Sequence, residues 1–346
     1  MEEKTFRTFL PEKETQENTG EDIFLPGEDT QFQRYKPSTF LEYVGQEALR
    51  EKLLIYTKAA RFRNEPLDHV LLFGAPGLGK TTLAHIIASE MQSSIKICSG
   101  PTLERSGDLV AILSSLTYKE VLFIDEIHRL SPTVEEILYT AMEEFCIDVV
   151  VGQGIAAKSV RLPLQPFTLI GATTMSGKIS APLRSRFSII EQLELYSAKE
   201  LQQIILKTAE SLQFSITEDA ACMLGAASRS TPRIAKKLLR RVRDFAQIKG
   251  CAADVELVCA VLQALGISKD GLTKQERFML EMIAQKFNGG PVGIETLAAV
   301  LIEDVETIEQ VYEPFLMQKG YLEKTARGRQ IPQAMLANMR KQQLLF

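Results

Sequence analysis

The chain has 346 residues, 45% of them hydrophobic and 24% charged, with a net charge of −4 and an isoelectric point near 5.7. That length holds about two or three domains around a sizeable core, and the acidic balance excludes a protein that coats nucleic acid over its whole surface, though not a local basic face. No apolar run approaches a membrane span and no signal-peptide core opens the chain; five scattered cysteines (Cys98, Cys146, Cys222, Cys251, Cys259) and three histidines form neither a disulfide framework nor a ligand set, so a soluble protein of the reducing cytoplasm is expected.

Residues 1–30 are acidic and interrupted by Pro11, Gly20, Pro26 and Gly27, the composition of a disordered or loosely attached tail. From Tyr35-Lys36-Pro37 the pattern becomes structured, with an amphipathic helix over 49–62 and an apolar strand over 69–73. The strand runs into Gly74-Ala75-Pro76-Gly77-Leu78-Gly79-Lys80-Thr81-Thr82, which matches G-x-x-x-x-G-K-[ST]. A helical apolar stripe of Leu83, Ala84, Ile86, Ile87, Ala88 and Met91 follows. In such a strand-loop-helix unit the glycines let successive backbone N–H groups and the helix N-terminus turn toward phosphate oxygens. Lys80 then reaches the β- and γ-phosphates and Thr81 the Mg²⁺. This is a nucleotide site.

Three further apolar strands, 95–97, 121–124 and 168–172, alternate with helices. The pattern predicts an α/β fold with a parallel sheet covered on both faces and ligands gathered at the strand C-termini. Asp125 and Glu126 close the second of these strands, roughly one sheet position from the phosphate loop. One carboxylate suits the Mg²⁺ sphere and the other the orienting and deprotonation of water; the same pair could instead cap the next helix. Thr174 ends the neighbouring strand, where its hydroxyl either senses a γ-phosphate or makes ordinary turn contacts. Two strand-like runs, 147–151 and 159–162, flank an apolar tip at Ile155, Ala156 and Ala157. Such a hairpin suits a protein partner better than DNA, or else packs on its own domain. In Pro182-Leu183-Arg184-Ser185-Arg186-Phe187, one arginine either reaches a nucleotide held by a neighbouring subunit or makes a surface salt bridge.

Beyond 196 strands vanish and helices follow over 198–211, 219–227, 232–249 and 254–265. Thr231-Pro232-Arg233 opens the third, and Arg233 stands out because a cation is disfavoured in a helix's first turn unless an anion sits there. Helices over 274–287, 294–301 and 307–319 then precede a hairpin of 321–324 and 330–331 turning at Gly328, a winged-helix pattern. Pro314 weakens the last of these helices. Lys324, Arg327 and Arg329 crowd the wing, which suits DNA phosphates without reading sequence.

The order phosphate loop, Asp-Glu, strand-end Thr, arginine and Thr-Pro-Arg resembles that of AAA+ ATPases. Longer runs resemble the RuvB family of bacterial Holliday-junction branch-migration motors: Gly77-Leu78-Gly79-Lys80-Thr81-Thr82-Leu83-Ala84, Leu122-Phe123-Ile124-Asp125-Glu126-Ile127-His128-Arg129-Leu130, Arg240-Arg241-Val242-Arg243-Asp244-Phe245-Ala246 and Gly289-Gly290-Pro291-Val292-Gly293. The resemblance runs from residue 34 to residue 332. It implies a tail at 1–30, a large ATPase domain at 31–196, a small helical lid at 197–267 and a winged-helix head at 268–346. It further implies that Gly77, Leu78, Gly79, Lys80, Thr81 and Thr82 hold ATP, with Thr81 and Asp125 on Mg²⁺ and Glu126 on water. Thr174 becomes the first sensor, Arg233 the second, and Arg186 a finger acting in trans. Tyr35, Lys36, Glu143, Glu144, Phe145 and Tyr196 would line the adenine side.

The same resemblance implies a homo-hexameric ring that migrates four-way junctions. Its hairpin would meet a RuvA-type junction-binding protein, a RuvC-type resolvase would share the complex, and Lys324, Arg327 and Arg329 would contact duplex DNA. The chain departs from the family pattern at Ala75, Lys36, Thr140, Glu144, Ala326 and Lys324, none of which removes a catalytic group. A clamp-loader or initiator-like ATP switch shares the fold and is the alternative. A DNA-binding regulator with a vestigial ATP site is opposed by the intact Lys80, Asp125, Glu126 and Arg186.

Overall fold

Helix α1 (Glu47–Arg63) buries Leu49, Leu53, Thr57 and Ala60, a spacing of three and four that lays one stripe against the sheet. It stops at Asn64, whose left-handed backbone (φ 61°) turns its N–H back onto the last carbonyls. The chain continues through β1 (Val70–Phe73), α2 (Lys80–Glu90), β2 (Ile95–Ser99), α3 (Ser106–Ser114), β3 (Val121–Asp125) and α4 (Pro132–Glu144). A hairpin of β4 (Cys146–Val151) and β5 (Lys158–Pro163) follows, then β6 (Thr168–Thr173), α5 (Ala181–Ser185) and β7 (Ile189–Gln192). This computed structural model describes residues 37–151 and 158–342; the tail at 1–30, Tyr35, Lys36 and the hairpin tip at Ile155, Ala156 and Ala157 lie outside the described residues.

The five strands β2-β3-β6-β1-β7 pair in parallel in that order. Their apolar runs are continuous because both faces are covered: Val121, Leu122, Phe123 and Ile124 are all at 0% exposure. Alternate residues point to opposite faces. Leu72, Phe123 and Ile170 meet α1 and α2 through Leu53, Leu83 and Ile87, while Leu71, Leu122 and Leu169 meet α3 and α4 through Leu113 and Leu138.

Two features of the sheet differ from the sequence expectation. Strand β6 lies between β1 and β3, so Asp125 is two sheet positions from the phosphate loop, and Thr174 stands between them. The edge strand β7, only four residues long, has no continuous apolar run to announce it.

Helices α6 (Ala198–Ser211), α7 (Glu218–Ala226), α8 (Pro232–Lys249) and α9 (Val255–Ala264) form the helical unit. Ser197 and Glu200 close a capping box that fixes where α6 starts. Leu201, Leu224, Leu238 and Val258 join the same core as α1 and α2, so this unit packs continuously with the parallel sheet.

The C-terminal unit has its own core of Met279, Ile283, Leu297, Ile308, Leu316 and Leu322. It comprises α10 (Lys274–Lys286), α11 (Ile294–Leu301), α12 (Glu313–Gln318), β8 (Glu323–Thr325), β9 (Gly328–Gln330) and α13 (Gln333–Gln342). The single helix expected over 307–319 is divided: Ile308–Tyr312 forms a π turn and α12 restarts after it. Pro314 lacks an N–H, and the wider turn before it absorbs that missing bond. The wing turns at Ala326 and Arg327, not at Gly328, since Thr325 already pairs with Gly328. Gly328 (φ 132°) is needed because any Cβ there would collide with the Val292 carbonyl. The final helix α13 had no counterpart in the sequence reading.

Candidate nucleotide site

The loop after β1 turns through Gly74 (φ 149°), Gly77 (φ 80°) and Gly79 (φ 101°), conformations that side chains resist. These turns deliver the chain into the N-terminus of α2, where Lys80 is 7% exposed. Its Nζ donates to the carbonyls of Gly74 (2.8 Å) and Ala75 (3.1 Å). Burial lowers the Lys80 pKa from its ordinary value, and the nearby Asp125 and Glu126 oppose that shift.

Glu126 has a left-handed backbone (φ 47°), unusual for a residue with a side chain. Its carbonyl packs so closely on Gly100 that a Cβ there would collide with it. Its Oε2 accepts from the Thr174 hydroxyl at 3.3 Å and lies 3.1 Å from His128 Nδ1. That same nitrogen is 2.9 Å from Thr173 Oγ1, which accepts the Met175 N–H at 2.9 Å. Burial lowers the His128 pKa first, and Glu126 pulls it back up. Sequence reasoning missed His128 and Thr173. The one available signal was their adjacency to Glu126 and Thr174 in the chain, because the contact itself arises only when β6 and the segment after β3 come side by side.

Arg233, in the first turn of α8, donates its backbone N–H to Gly77 O at 3.3 Å. A Cβ on Gly77 would lie 2.8 Å from Arg233 Cβ, so a glycine is required where the helical unit seats on the loop. One cavity of about 260 Å³ is lined by Pro76, Gly77, Gly79, Lys80, Thr81, Thr82, Asp125, Glu126, Thr174, Pro232, Arg233 and Lys236. Residues from four separated stretches of sequence therefore meet at the C-terminal edge of the sheet.

Family models match the chain in three successive segments. The P-loop domain of the Holliday junction DNA helicase RuvB matches residues 35–193, the RuvB AAA lid domain 196–268 and the RuvB C-terminal winged-helix domain 269–339. Among solved structures, a Thermotoga maritima RuvB described as a Holliday junction branch migration motor is 45% identical, with a TM-score of 0.76 over 89% of this chain and 98% of that one. A point mutant of the same protein gives a TM-score of 0.77 at 45% identity, over 88% of this chain and 98% of that one. The chain belongs to the RuvB family.

In this RuvB-family chain the residues expected on the adenine side divide into two groups. Tyr196 lines a second cleft beside the phosphate loop, together with Pro37, Tyr43, Val44, Leu78, Thr82 and Ile204. Its hydroxyl donates to Leu78 O at 3.3 Å, so the 2.7 Å contact with Tyr43 is donated by Tyr43. Burial pushes the Tyr196 pKa up to about 12. Tyr43 was another residue the sequence reading left unassigned, its apolar neighbours making it look like core.

Glu143, Glu144 and Phe145 line neither cleft. Phe145 (φ 47°) ends α4 and packs against Phe167, with ring centroids 5.9 Å apart. Glu144 pairs with Arg161 at 2.9 Å and Glu143 with Arg186 at 3.2 Å. In this conformation the three therefore contact Arg186, Arg161 and Phe167 and none of the residues lining either cleft. Arg186 likewise does not line the chain's own cavity.

The three cations expected on the wing stand differently from one another. Arg329 is 7% exposed and points inward, its guanidinium 2.6 Å from Glu313 and 2.8 Å from Glu309. A DNA contact by Arg329 would require a phosphate to displace Glu309 and Glu313. Lys324 pairs with Glu309 at 3.1 Å in the open, and Arg327 is exposed at the tip. No cluster of three or more His, Cys, Asp or Glu that could hold a metal occurs among the described residues. The Thr81 hydroxyl and the Asp125 carboxylate fit instead an ion that takes most of its oxygens from substrate phosphates and water.

Proposed function

We propose that the chain is an ATP hydrolase that drives branch migration of Holliday junctions, with its machinery divided between two copies of itself. The observation that carries this reading is the cavity in which the phosphate loop, the β3 carboxylates, the strand-end threonine and the lid arginine converge. The loop N–H groups and Lys80 hold the β- and γ-phosphates, and Thr81 and Asp125 would hold Mg²⁺. Such an ion would neutralise charge on the phosphate oxygens. Glu126 orients the attacking water and takes its proton, a role that requires it to leave the Thr174 and His128 contacts it makes in this conformation. Thr174 is then free to turn to the γ-phosphate.

Arg233 transmits the state of the cleft because its backbone rests on Gly77 while its helix belongs to the lid. Arg186, which stands away from the chain's own cavity, serves a neighbouring protomer's triphosphate in a homo-hexamer. The β4–β5 hairpin meets a RuvA-type junction-binding protein, a RuvC-type resolvase acts on the same complex, and the wing steers duplex DNA through Arg327 and Lys324. Branch migration makes about as many base pairs as it breaks, each stacking step being worth roughly 1.4 kcal/mol, so ATP supplies direction, not net melting.

Glu126→Gln tests the chemistry: nucleotide binding is expected to persist while turnover falls by roughly 10² to 10⁴. Full turnover by that variant would refute the assignment. ATP-dependent migration of a synthetic four-way junction, with and without the RuvA-type partner, tests the motor. Nucleotide-dependent DNA binding without movement would favour a loading switch.

A further inference from the structure

Arg186 follows a helix of only five residues, too short to fix a long side chain by itself. Its guanidinium lies over the Tyr139 ring, with Cζ 4.5 Å from the ring centroid. Nη1 donates to Pro182 O at 2.7 Å and Nη2 to Glu143 Oε2 at 3.2 Å, while the buried Nε has no partner among the described residues.

Tyr139 is itself anchored from beneath. Its hydroxyl donates to Glu135 Oε2 at 2.9 Å and lies 3.2 Å from Ser180 Oγ. Ser180 donates to the same carboxylate oxygen at 2.6 Å and accepts the Leu183 N–H at 3.3 Å as the N-cap of α5. Glu135 is buried at 8% exposure. One carboxylate on α4 therefore fixes both the start of the helix that presents Arg186 and the ring on which Arg186 rests.

We propose that Tyr139 is a positioning residue for ATP hydrolysis, holding the Arg186 guanidinium in the plane from which it reaches a triphosphate bound by the next protomer. The proposal rests on the reading of Arg186 as acting in trans. A ring face attracts a guanidinium without cancelling its charge, so the arginine is oriented and still available to phosphate. Glu143 offers the contrasting contact. Its side chain is 57% exposed, so solvent weakens its hold on Arg186 and a more highly charged triphosphate displaces it. Placement is what such a group contributes, since a misplacement of about 1 Å can cost roughly 10²-fold in rate.

The test is single-turnover ATP hydrolysis by assembled full-length protein on junction DNA, with ATP affinity measured in parallel. Tyr139→Leu removes the ring and is expected to slow hydrolysis about 10-fold or more with ATP affinity changed far less, because the phosphate loop that grips the ground-state triphosphate is intact in every protomer. Tyr139→Phe keeps the ring and is expected to stay within about 3-fold of the wild type. Combined with Arg186→Ala, Tyr139→Leu is expected to add no further loss, since the two act as one unit. Should Tyr139→Leu fail to assemble, Tyr139→Met keeps the bulk without the ring and carries the same expectation.

A wild-type rate for the ring-less variants, or a loss that adds in full to that of Arg186→Ala, overturns the role of Tyr139 while leaving Arg186 in place. Full turnover by Arg186→Ala alone overturns the trans reading, and the proposal with it.

Discussion

Lys80 in the phosphate loop and Arg329 in the wing are buried to the same degree, each at 7% exposure, yet their charges stand differently. Lys80 rests on two neutral carbonyls, those of Gly74 and Ala75. The carboxylates near it are held by other groups: Asp125 Oδ1 by the Glu126 N–H, and Glu126 by Thr174 and His128. Arg329 lies between Glu313, itself 3% exposed, and Glu309. A neutral cradle leaves a cation's charge unmatched and ready for phosphate, whereas a carboxylate cradle consumes it. Burial alone does not distinguish a binding cation from a structural one; the identity of its neighbours does.

The largest expected effect comes from deleting the unmatched charge. Lys80→Ala should lower ATP turnover by at least about 10³-fold, on the scale of losing a main electrostatic donor to the transferring phosphoryl group. Thermal stability should hold or rise, because a buried cation with only neutral partners is itself costly to fold around. Steady-state turnover and a melting curve on the same preparation check both halves, and a stability loss matching that of Arg329 variants would break the comparison.

Next comes deleting the matched charge. Arg329→Ala strands the Glu313 carboxylate in the interior of the winged-helix unit. Removing one partner of a buried pair costs roughly 3 to 5 kcal/mol. Denaturant unfolding should show the loss, and a stable variant with only weakened DNA binding would place Arg329 on the DNA surface.

What the sequence could and could not disclose follows the same line. The phosphate loop was legible because its geometry is local, with glycines, lysine and threonine lying within one turn of each other. The apolar strands and the boxed start of α6 were legible for the same reason, each carrying its own hydrophobic run or cap. Arg329 was not, since its acceptors lie 16 and 20 residues earlier, at the start of α12 and in the π turn before it, and reach it only by folding. Nor was the insertion of β6 between β1 and β3, a matter of sheet order that strand composition does not encode. Glu143, Glu144 and Phe145 were grouped with Tyr196 by family resemblance; within this chain they meet Arg186, Arg161 and Phe167, contacts that no local pattern announces. His128 looked unremarkable because its partners, Glu126 and Thr173, come from two different strand ends.

Arg327 sharpens the comparison from the exposed side. It has no ion-pair partner among the described residues, so its charge is as unmatched as that of Lys80 but exposed to solvent. Arg327→Ala should weaken duplex binding a few-fold, uniformly across sequences, and lower the salt slope by about 1. Titrating binding at several salt concentrations separates this from an indirect loss of fold, which would leave the slope unchanged for the folded fraction.

The smallest effect concerns a buried group that must carry no charge at all. His69, 8% exposed, accepts the Leu169 N–H on Nδ1 at 2.9 Å, so its Nε2 carries the proton and donates to Met142 O at 3.1 Å. A second proton would have to displace the Leu169 bond. Burial lowers the His69 pKa below its ordinary 6.5, with Met142 and Asp68 opposing the shift only in part. The unfolded chain therefore binds a proton near that ordinary value that the folded chain refuses, and stability is full above it and falls as pH drops through it. His128 is shifted in the same direction and adds to the slope. His69→Gln, which can keep one donor and one acceptor without titrating, should lose less stability than the wild type between pH 7.5 and pH 5.5, about one ordinary pKa unit either side of the imidazole value. Equal losses in the two proteins would mean that the imidazole tolerates protonation, and that the acid sensitivity arises in the carboxylate-matched regions instead.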